Sequence, residues 1–311
     1  HALRQEWEPA HAVGNIGRPF TRLVADTAGG LAEDIAICEV SSFQAETIQH
    51  FQTEAVLWTN FSEDHLDRHP NMESYLNAKW SLVARAPEEA VFAGTSVYVH
   101  AKKYNRQLPI SAWIDTEAQP ADPELAQTVF AEYPHRENFI MAAAWWRHAG
   151  RAQAELYKAA KTFRLGRHRM SRVEEIDGVT FWNDSKATNF HAVEAAVGRL
   201  DKPVHVILGG EPKGGDLEAF IGRIGPKVAE LILIGQTRGT LAAACETHHV
   251  KHVECDSLSA AVSWAIESAR PGGHVLLSPG FASFDMFHSY EDRGDQYEHL
   301  VRKLGSIAPL R

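Results

Sequence analysis

The second half of the chain alternates between short apolar runs and amphipathic stretches with a regularity that few folds accommodate. Apolar runs at residues 204–208, 231–234 and 274–277 are separated by segments with helical spacing at 217–224, 237–246 and 258–269. Strands that alternate with helices in this rhythm predict βαβ units and a parallel sheet. A glycine-rich loop, GGEPKGGD at 209–216, follows the first of these strands, and the aromatic-rich SPGFASFDMFHSYEDRG at 278–294 follows the last. Nowhere in the chain is there the G-x-x-x-x-G-K-[ST] spacing of a phosphate-cradling loop.

Just before this alternation, residues 173–182 loosely alternate around Asp177-Gly178, a two-residue hairpin signal. They lead into NDSKATN at 183–189, which packs Asp184, Lys186, two hydroxyls and two carboxamides into one junction, and then into the helical pattern HAVEAAVGRL. The first N–H groups of a helix are unpaired and carry partial positive charge, so such a junction favours a phosphate or a carboxylate. The plainer alternative is an N-cap with a solvated charge pair.

The first half is less regular. Residues 35–40 (IAICEV) read as a buried strand delivering Glu39 at its end, and Ser41 and Ser42 open a helical segment. A strand at 55–59 runs into the acid- and imidazole-rich loop NFSEDHLDRHP, and a helix at 72–86 carries Lys79. Ligands of open α/β sheets bind beyond the carboxyl ends of strands, which places Glu39 and His65 where a site is expected. A surface carboxylate, a loop imidazole and a solvated helix lysine are the competing readings. Residues 91–133 give only strand-like pieces such as VYVH at 97–100 and a polar run at 119–123, and helices follow at 137–149 and 153–163. LGRHRMSR at 165–172 reads as a linker, which sets the expected domains at 1–165 and 166–311.

At 311 residues the chain is long enough for roughly two domains. No apolar run approaches the ~18 residues that cross a bilayer, and the net charge of -9 argues against nucleic acid as a partner. Cys38, Cys245 and Cys255 lack metal-ligand spacing, from which a reducing, cytoplasmic setting is expected. The chain begins HALRQEWEPA, with neither Met nor a signal-peptide pattern, and reads as part of something longer.

Taken together, GNIG (14–17), EVSSFQ (39–44), EDHLDRH (63–69), Lys79, HREN (135–138), GRHR (166–169), NDSKATN, GGEPKGGD and the SPGFASFD to DRG stretch resemble the Mur ligase family. They occur in that family's order over nearly the whole chain. EVSSFQ with NDSKATN points to the branch that adds D-glutamate during peptidoglycan precursor synthesis. The resemblance implies an α/β architecture: a central ATPase domain, here at 1–165 and without its phosphate loop, followed by a Rossmann-like amino-acid-binding domain at 166–311. A UDP-binding domain and the phosphate loop would lie upstream, so residues 1–311 alone are expected not to turn over ATP.

The implied substrates are ATP, UDP-N-acetylmuramoyl-L-alanine and D-glutamate, with two Mg²⁺ ions, in a monomer. By the same resemblance Glu39 and His65 would ligate Mg²⁺, joined by Lys79 as a carbamate, and these three with Lys186 would form the catalytic set. Asn15, Ser41 and Gln44 would hold the muramoyl-alanine part. Asn138, Arg169, Asp184 and Lys186 would hold ATP, although Arg136 stands where the family usually has Asn after His135. Thr188, Lys213, Ser283, Phe284 and Tyr290 would hold D-glutamate, with core packing the alternative for the two aromatics. A non-catalytic fragment that binds amino acid or nucleotide is the competing reading of the whole chain.

Overall fold

In the computed structural model, which describes residues 1–6, 9–15, 17–30, 33–201 and 203–306, the chain separates by its internal contacts into two units. The first comprises His1–Ser62 and His69–Arg164, and the second takes in Glu63–Arg68 and Leu165–Arg311.

The first unit runs α1 (Ala2–Gln5), β1 (Ala10–Gly14), α2 (Phe20–Asp26), β2 (Ile35–Glu39), α3 (Ser42–Thr47), β3 (Val56–Trp58), α4 (Met72–Val83), β4 (Val91–Gly94), α5 (Thr95–Lys103), β5 (Trp113–Ile114), α6 (His135–His148) and α7 (Gln153–Thr162). Its strands are all parallel but fall into two sheets, β1-β2 and β3-β4-β5. Two expectations need correction. VYVH is not strand-like: it lies inside α5, where Val97 and Ala101, four residues apart, are buried and Val99 is 55% exposed. The helix penalty of a few tenths of a kcal/mol for β-branched residues is overridden by burying that stripe. The fully buried strand is the preceding VFAG, which sits between β3 and β5. The strand at 35–40 forms as expected but is not buried, because among the described residues β2 pairs with β1 alone, and Ile37 is 50% exposed.

The second unit contains β6 (Ser171–Ile176), β7 (Val179–Asn183), α8 (Phe190–Gly198), β8 (Val204–Leu208), α9 (Leu217–Ile224), β9 (Glu230–Leu233), α10 (Arg238–Thr247), β10 (His252–Glu254), α11 (Leu258–Ser268), β11 (His274–Leu277) and α12 (Tyr290–Gly305). One six-stranded sheet has the order β10-β9-β8-β11-β7-β6. It is parallel except for β6, which returns as a hairpin through Asp177 (φ 48) and Gly178 (φ 75), the left-handed pair of a type I′ turn.

Central strands of a parallel sheet are covered on both faces, and β8 is accordingly buried at every position. On one face Val206 and Leu208 pack with α8, α9 and α10 through Phe190, Val193, Phe220, Ile221 and Leu241. On the other, Ile207, Ile232 and Val275 pack with α11 and α12 through Ala261, Val262, Ala265, Tyr297 and Val301. Each fully buried aliphatic side chain contributes about 1.5–3 kcal/mol relative to exposure. Side-chain caps fix where the helices begin: Asn189, Asp216, Ser257 and Ser289 accept N–H bonds from Ala192, Ala219, Ala260 and Asp292. GRHR is no free linker, since His168 is 3% exposed and belongs to this unit. Among the described residues no helix is long and apolar enough to cross a membrane.

Candidate active site

Strand β11 lies between β7 and β8, yet the chain leaves it toward α12, on the face opposite to α8 and α9. Where neighbouring strands send their connections to opposite faces, a crevice opens at their carboxyl ends. Three loops converge there. Gly280 N–H donates to the Ala187 carbonyl at 2.9 Å, Gly209 N–H to Pro279 at 2.9 Å and Glu211 N–H to Ala282 at 3.0 Å. The glycines of GGEPKGGD are a consequence of that closeness. A Cβ on Gly209 (φ 120) would lie 2.1 Å from the Ile234 carbonyl oxygen, and one on Gly210 (φ 152) would lie 2.3 Å from that of Ala282.

NDSKATN is part cap and part buried network. Asn189 is the N-cap of α8, as the plain reading expected. Asp184 is not solvated: it is buried and accepts from Ser278 Oγ at 3.0 Å and from Met170 N–H at 3.1 Å. Burial pushes its carboxyl up to about 7, against the opposing pull of these two hydrogen bonds and of Arg169. Asp184 thereby braces the loop that carries the exposed Arg169, in which His168 and Met170 both hold left-handed backbone angles (φ 62 and 46). Asn183, wholly buried, places its Nδ2 within 3.1 Å of the Gly294 carbonyl, Glu298 Oε1 and His168 Nδ1, while its Oδ1 accepts from Ser185 N–H.

Lys186 and the amino-acid candidates other than Ser283 sit at the less buried rim. Lys186 Nζ donates to Tyr290 Oη at 3.2 Å and lies 5.0 Å from that ring's centroid. Lys213 Nζ is 3.8 Å from Asp64 Oδ1, and Asn189 Nδ2 donates to the other oxygen of Asp64 at 3.3 Å. The loop bearing His65 (φ 54) thus packs beside Lys213, with Asp67 N–H donating to the Lys213 carbonyl. Ser283 is buried, Thr188 and Tyr290 are half-buried, and Phe284 is 69% exposed, which removes core packing as an account of Phe284.

The first unit brings together fewer of its candidates. Asn15 N–H donates to the Glu39 carbonyl at 2.7 Å, and its Nδ2 reaches Glu39 Oε1 at 3.4 Å, at the carboxyl ends of β1 and β2. Ser41 and Gln44 form a capping box for α3: Ser41 Oγ accepts from Gln44 N–H, and Gln44 Oε1 accepts from Ser41 N–H. Lys79, half-buried on α4, lies 5.5 Å from the Tyr75 ring centroid. Asn138 is exposed on the first turns of α6. Among the described residues no three of His, Cys, Asp and Glu converge as a metal site.

Sequence reasoning gave no role to Arg293, Asn183, His168 or Ser278. For two of them a signal was there to read. Asn183 continues the inward face of β7 set by Val179 and Phe181, and Arg293 precedes Tyr297 and Val301 on the buried stripe of α12. A polar side chain at a core position needs partners, and those partners mark the site.

Residues 22–118 match the Mur ligase middle domain, and residues 168–281 match the Mur ligase glutamate ligase domain. The UDP-N-acetylmuramoylalanine–D-glutamate ligase of Caldicellulosiruptor bescii is 32% identical over 327 residues, covering 97% of this chain and 70% of that protein. The enzyme of the same description from Gloeobacter violaceus is 33% identical, with 98% of this chain and 72% of that protein covered. The solved MurF ligase of Thermotoga maritima in complex with ADP superposes with a TM-score of 0.68 at 12% identity, covering 98% of this chain and 76% of that one. Escherichia coli FolC in complex with ADP gives 0.53 at 16% identity, with 88% and 67% covered. The structural likenesses show a shared fold, and the family-model matches and sequence relatives establish that this chain belongs to the Mur ligase family.

Proposed function

We infer that the chain works as an ATP-dependent ligase that joins D-glutamate to the carboxyl group of UDP-N-acetylmuramoyl-L-alanine. The observation that carries this reading is the crevice beyond β7, β11 and β8, where Lys186, Lys213, Ser283 and Tyr290 are delivered by loops bonded to one another. A dicarboxylate amino acid needs a donor-rich group at each end. Lys213 serves one carboxylate, and Ser283 with the neighbouring backbone N–H groups serves the other.

In the reaction the muramoyl-alanine carboxylate attacks the γ-phosphorus of ATP and ADP leaves. The amine of D-glutamate then attacks the acyl carbon of the resulting acyl phosphate, loses a proton and expels inorganic phosphate. Lys186 counters the phosphate charge that builds up at each step. Arg169, braced by Asp184, and Asn138 hold the nucleotide, Thr188 and Phe284 border the amino acid, and Asn15, Ser41 and Gln44 face the muramoyl-alanine side. The domains act as a central ATPase domain over 1–165 and an amino-acid-binding domain over 166–311.

Mg²⁺ takes oxygen ligands, and the exposed carboxylate of Glu39 at a strand end suits it, with His65 and a carbamylated Lys79 as further holders. When bound, it would neutralise the repulsion between the reacting anions. Carbamylation requires the neutral amine of Lys79 to add CO₂ and shed a proton.

The test is ligation by the complete gene product given ATP, Mg²⁺, UDP-N-acetylmuramoyl-L-alanine and a panel of amino acids. D-glutamate should be incorporated with stoichiometric release of ADP and phosphate. Preference for L-alanine, a diamino acid or a dipeptide would overturn the assignment.

A further inference from the structure

Arg293, on the first turn of α12, is 1% exposed; among the described residues no carboxylate forms a direct ion pair with it, and the carboxylate whose charge acts on it is that of Asp285. A buried guanidinium without a directly paired counter-ion is costly unless its donors are met. Here four are met by oxygens of two different loops. Nε donates to Ser185 Oγ at 3.0 Å and Nη2 to the Ser185 carbonyl at 2.8 Å, while Nη1 reaches the carbonyls of Phe281 and Ala282 at 3.2 and 3.4 Å. Ser185 Oγ in turn donates to the Tyr290 carbonyl at 2.8 Å. Burial pulls the guanidinium down to about 10, so it remains charged at neutral pH.

The acceptors matter because two of them are the immediate chain neighbours of site residues. Ser185 precedes Lys186, the phosphate-side cation, and Ala282 precedes Ser283, the amino-acid-side hydroxyl. We propose that Arg293 is a positioning residue that sets the spacing between the phosphate-side and amino-acid-side halves of the site by clamping Ser185 to Phe281 and Ala282. This rests on the functional reading of Lys186 and Ser283. A planar fork of five donors is required, because the three carbonyls and one hydroxyl lie on different loops. A lysine at this position keeps the charge but offers one nitrogen, which cannot meet both loops.

The experiment compares the wild-type chain with Arg293→Lys and with Ser185→Ala, which removes one acceptor and leaves the carbonyls. Hydrogen exchange is followed at the amides of Lys186 and Glu211, bonded to the His168 and Ala282 carbonyls, and D-glutamate and ATP dissociation constants are measured on folded protein. For folded Arg293→Lys, exchange at both amides should quicken, and affinity for both ligands should fall by about tenfold, as expected for lost charge-assisted bonds. Ethylguanidinium added to Arg293→Ala should recover part of the affinity. If Arg293→Lys fails to fold, Ser185→Ala decides, with faster Lys186 exchange and weaker binding of both ligands expected. Unchanged exchange and affinities within about twofold in the folded variant would overturn the proposal. Should the complete gene product bind neither ligand, the functional reading fails, and exchange at the two amides still decides whether the clamp exists.

Discussion

The two units hold their candidate residues in different ways. In the second, Asn183, Asp184, Ser185 and Arg293 are buried beneath the site and bonded to partners about a hundred residues away, such as Ser278, Tyr290 and Gly294. In the first, Asn15, Glu39 and Gln44 are exposed and Ser41 half-buried, with Ser41 and Gln44 bonded within one helical turn. The cores differ in the same sense. The second unit has two large apolar clusters on a continuous sheet, whereas the first divides its buried residues among three smaller ones. Eight of the ten exposed large apolar side chains among the described residues belong to the first unit. Preorganised donors are worth most where water is excluded and reorganisation is already complete. The candidate residues of the second unit therefore rest on a buried, already bonded network, whereas Asn15, Glu39 and Gln44 of the first unit are exposed.

The largest effect should come from the first unit in spite of that. Lys79→Ala should abolish ligation by the complete gene product, and short-chain carboxylic acids should partly restore it by standing in for the carbamate. Absence of rescue with an intact circular dichroism spectrum would count against carbamylation. Next, Lys213→Ala should weaken D-glutamate at least about tenfold while leaving ATP within about twofold, as expected when one charge-assisted pair is lost. Equal loss for both ligands would mean that Lys213 organises the loop instead of contacting the amino acid.

A stability pair sharpens the contrast between the cores. Ile232 is fully buried in β9 and Ile37 is 50% exposed in β2. Ile232→Ala should cost about 2–5 kcal/mol in urea unfolding, and Ile37→Ala about 0.5 kcal/mol or less. Similar costs would show that the two sheets are equally well packed.

A smaller effect concerns pH. The Asp184 carboxyl is raised from 3.8 to about 7 in the folded protein, so the native state holds its proton over a range in which the unfolded chain has released it. Its contribution is full below the unfolded value and is lost as pH rises toward about 7, so stability from this group falls with rising pH. Asp184→Asn should flatten that part of the profile, measured by thermal unfolding from pH 4 to pH 7. An unchanged slope would assign it to other groups.

How much was legible in the sequence divides along the same line. The second unit could be read because period and length agree there: buried runs such as VHVIL alternate with capped helices, and Asp177-Gly178 makes the turn its sequence demands. β10 and α12 were not anticipated. The first is three residues long, and the second has a mean hydropathy well on the polar side, so its buried stripe of Arg293, Tyr297 and Val301 is diluted by charge. In the first unit VYVH carried strand propensity, but its burial period is four. The candidate residues Lys79 and Arg169 were legible only through resemblance, since a charged side chain that reaches solvent needs no reason from folding, whereas Glu39 was also marked by its place at a strand's carboxyl end. The buried clamp was hidden for the opposite cause: its logic lies in contacts between loops far apart in sequence.

Whether the second unit carries a ready-made D-glutamate site can be decided by titrating the isotope-labelled chain with D-glutamate, L-glutamate, L-alanine and a diamino acid, followed by amide chemical shifts. D-glutamate alone should move the amides of residues 209–216 and 278–290 in a saturable way, while those of β1 and β2 stay still. Shifts of equal size with L-alanine or the diamino acid, or shifts confined to the first unit, would contradict it.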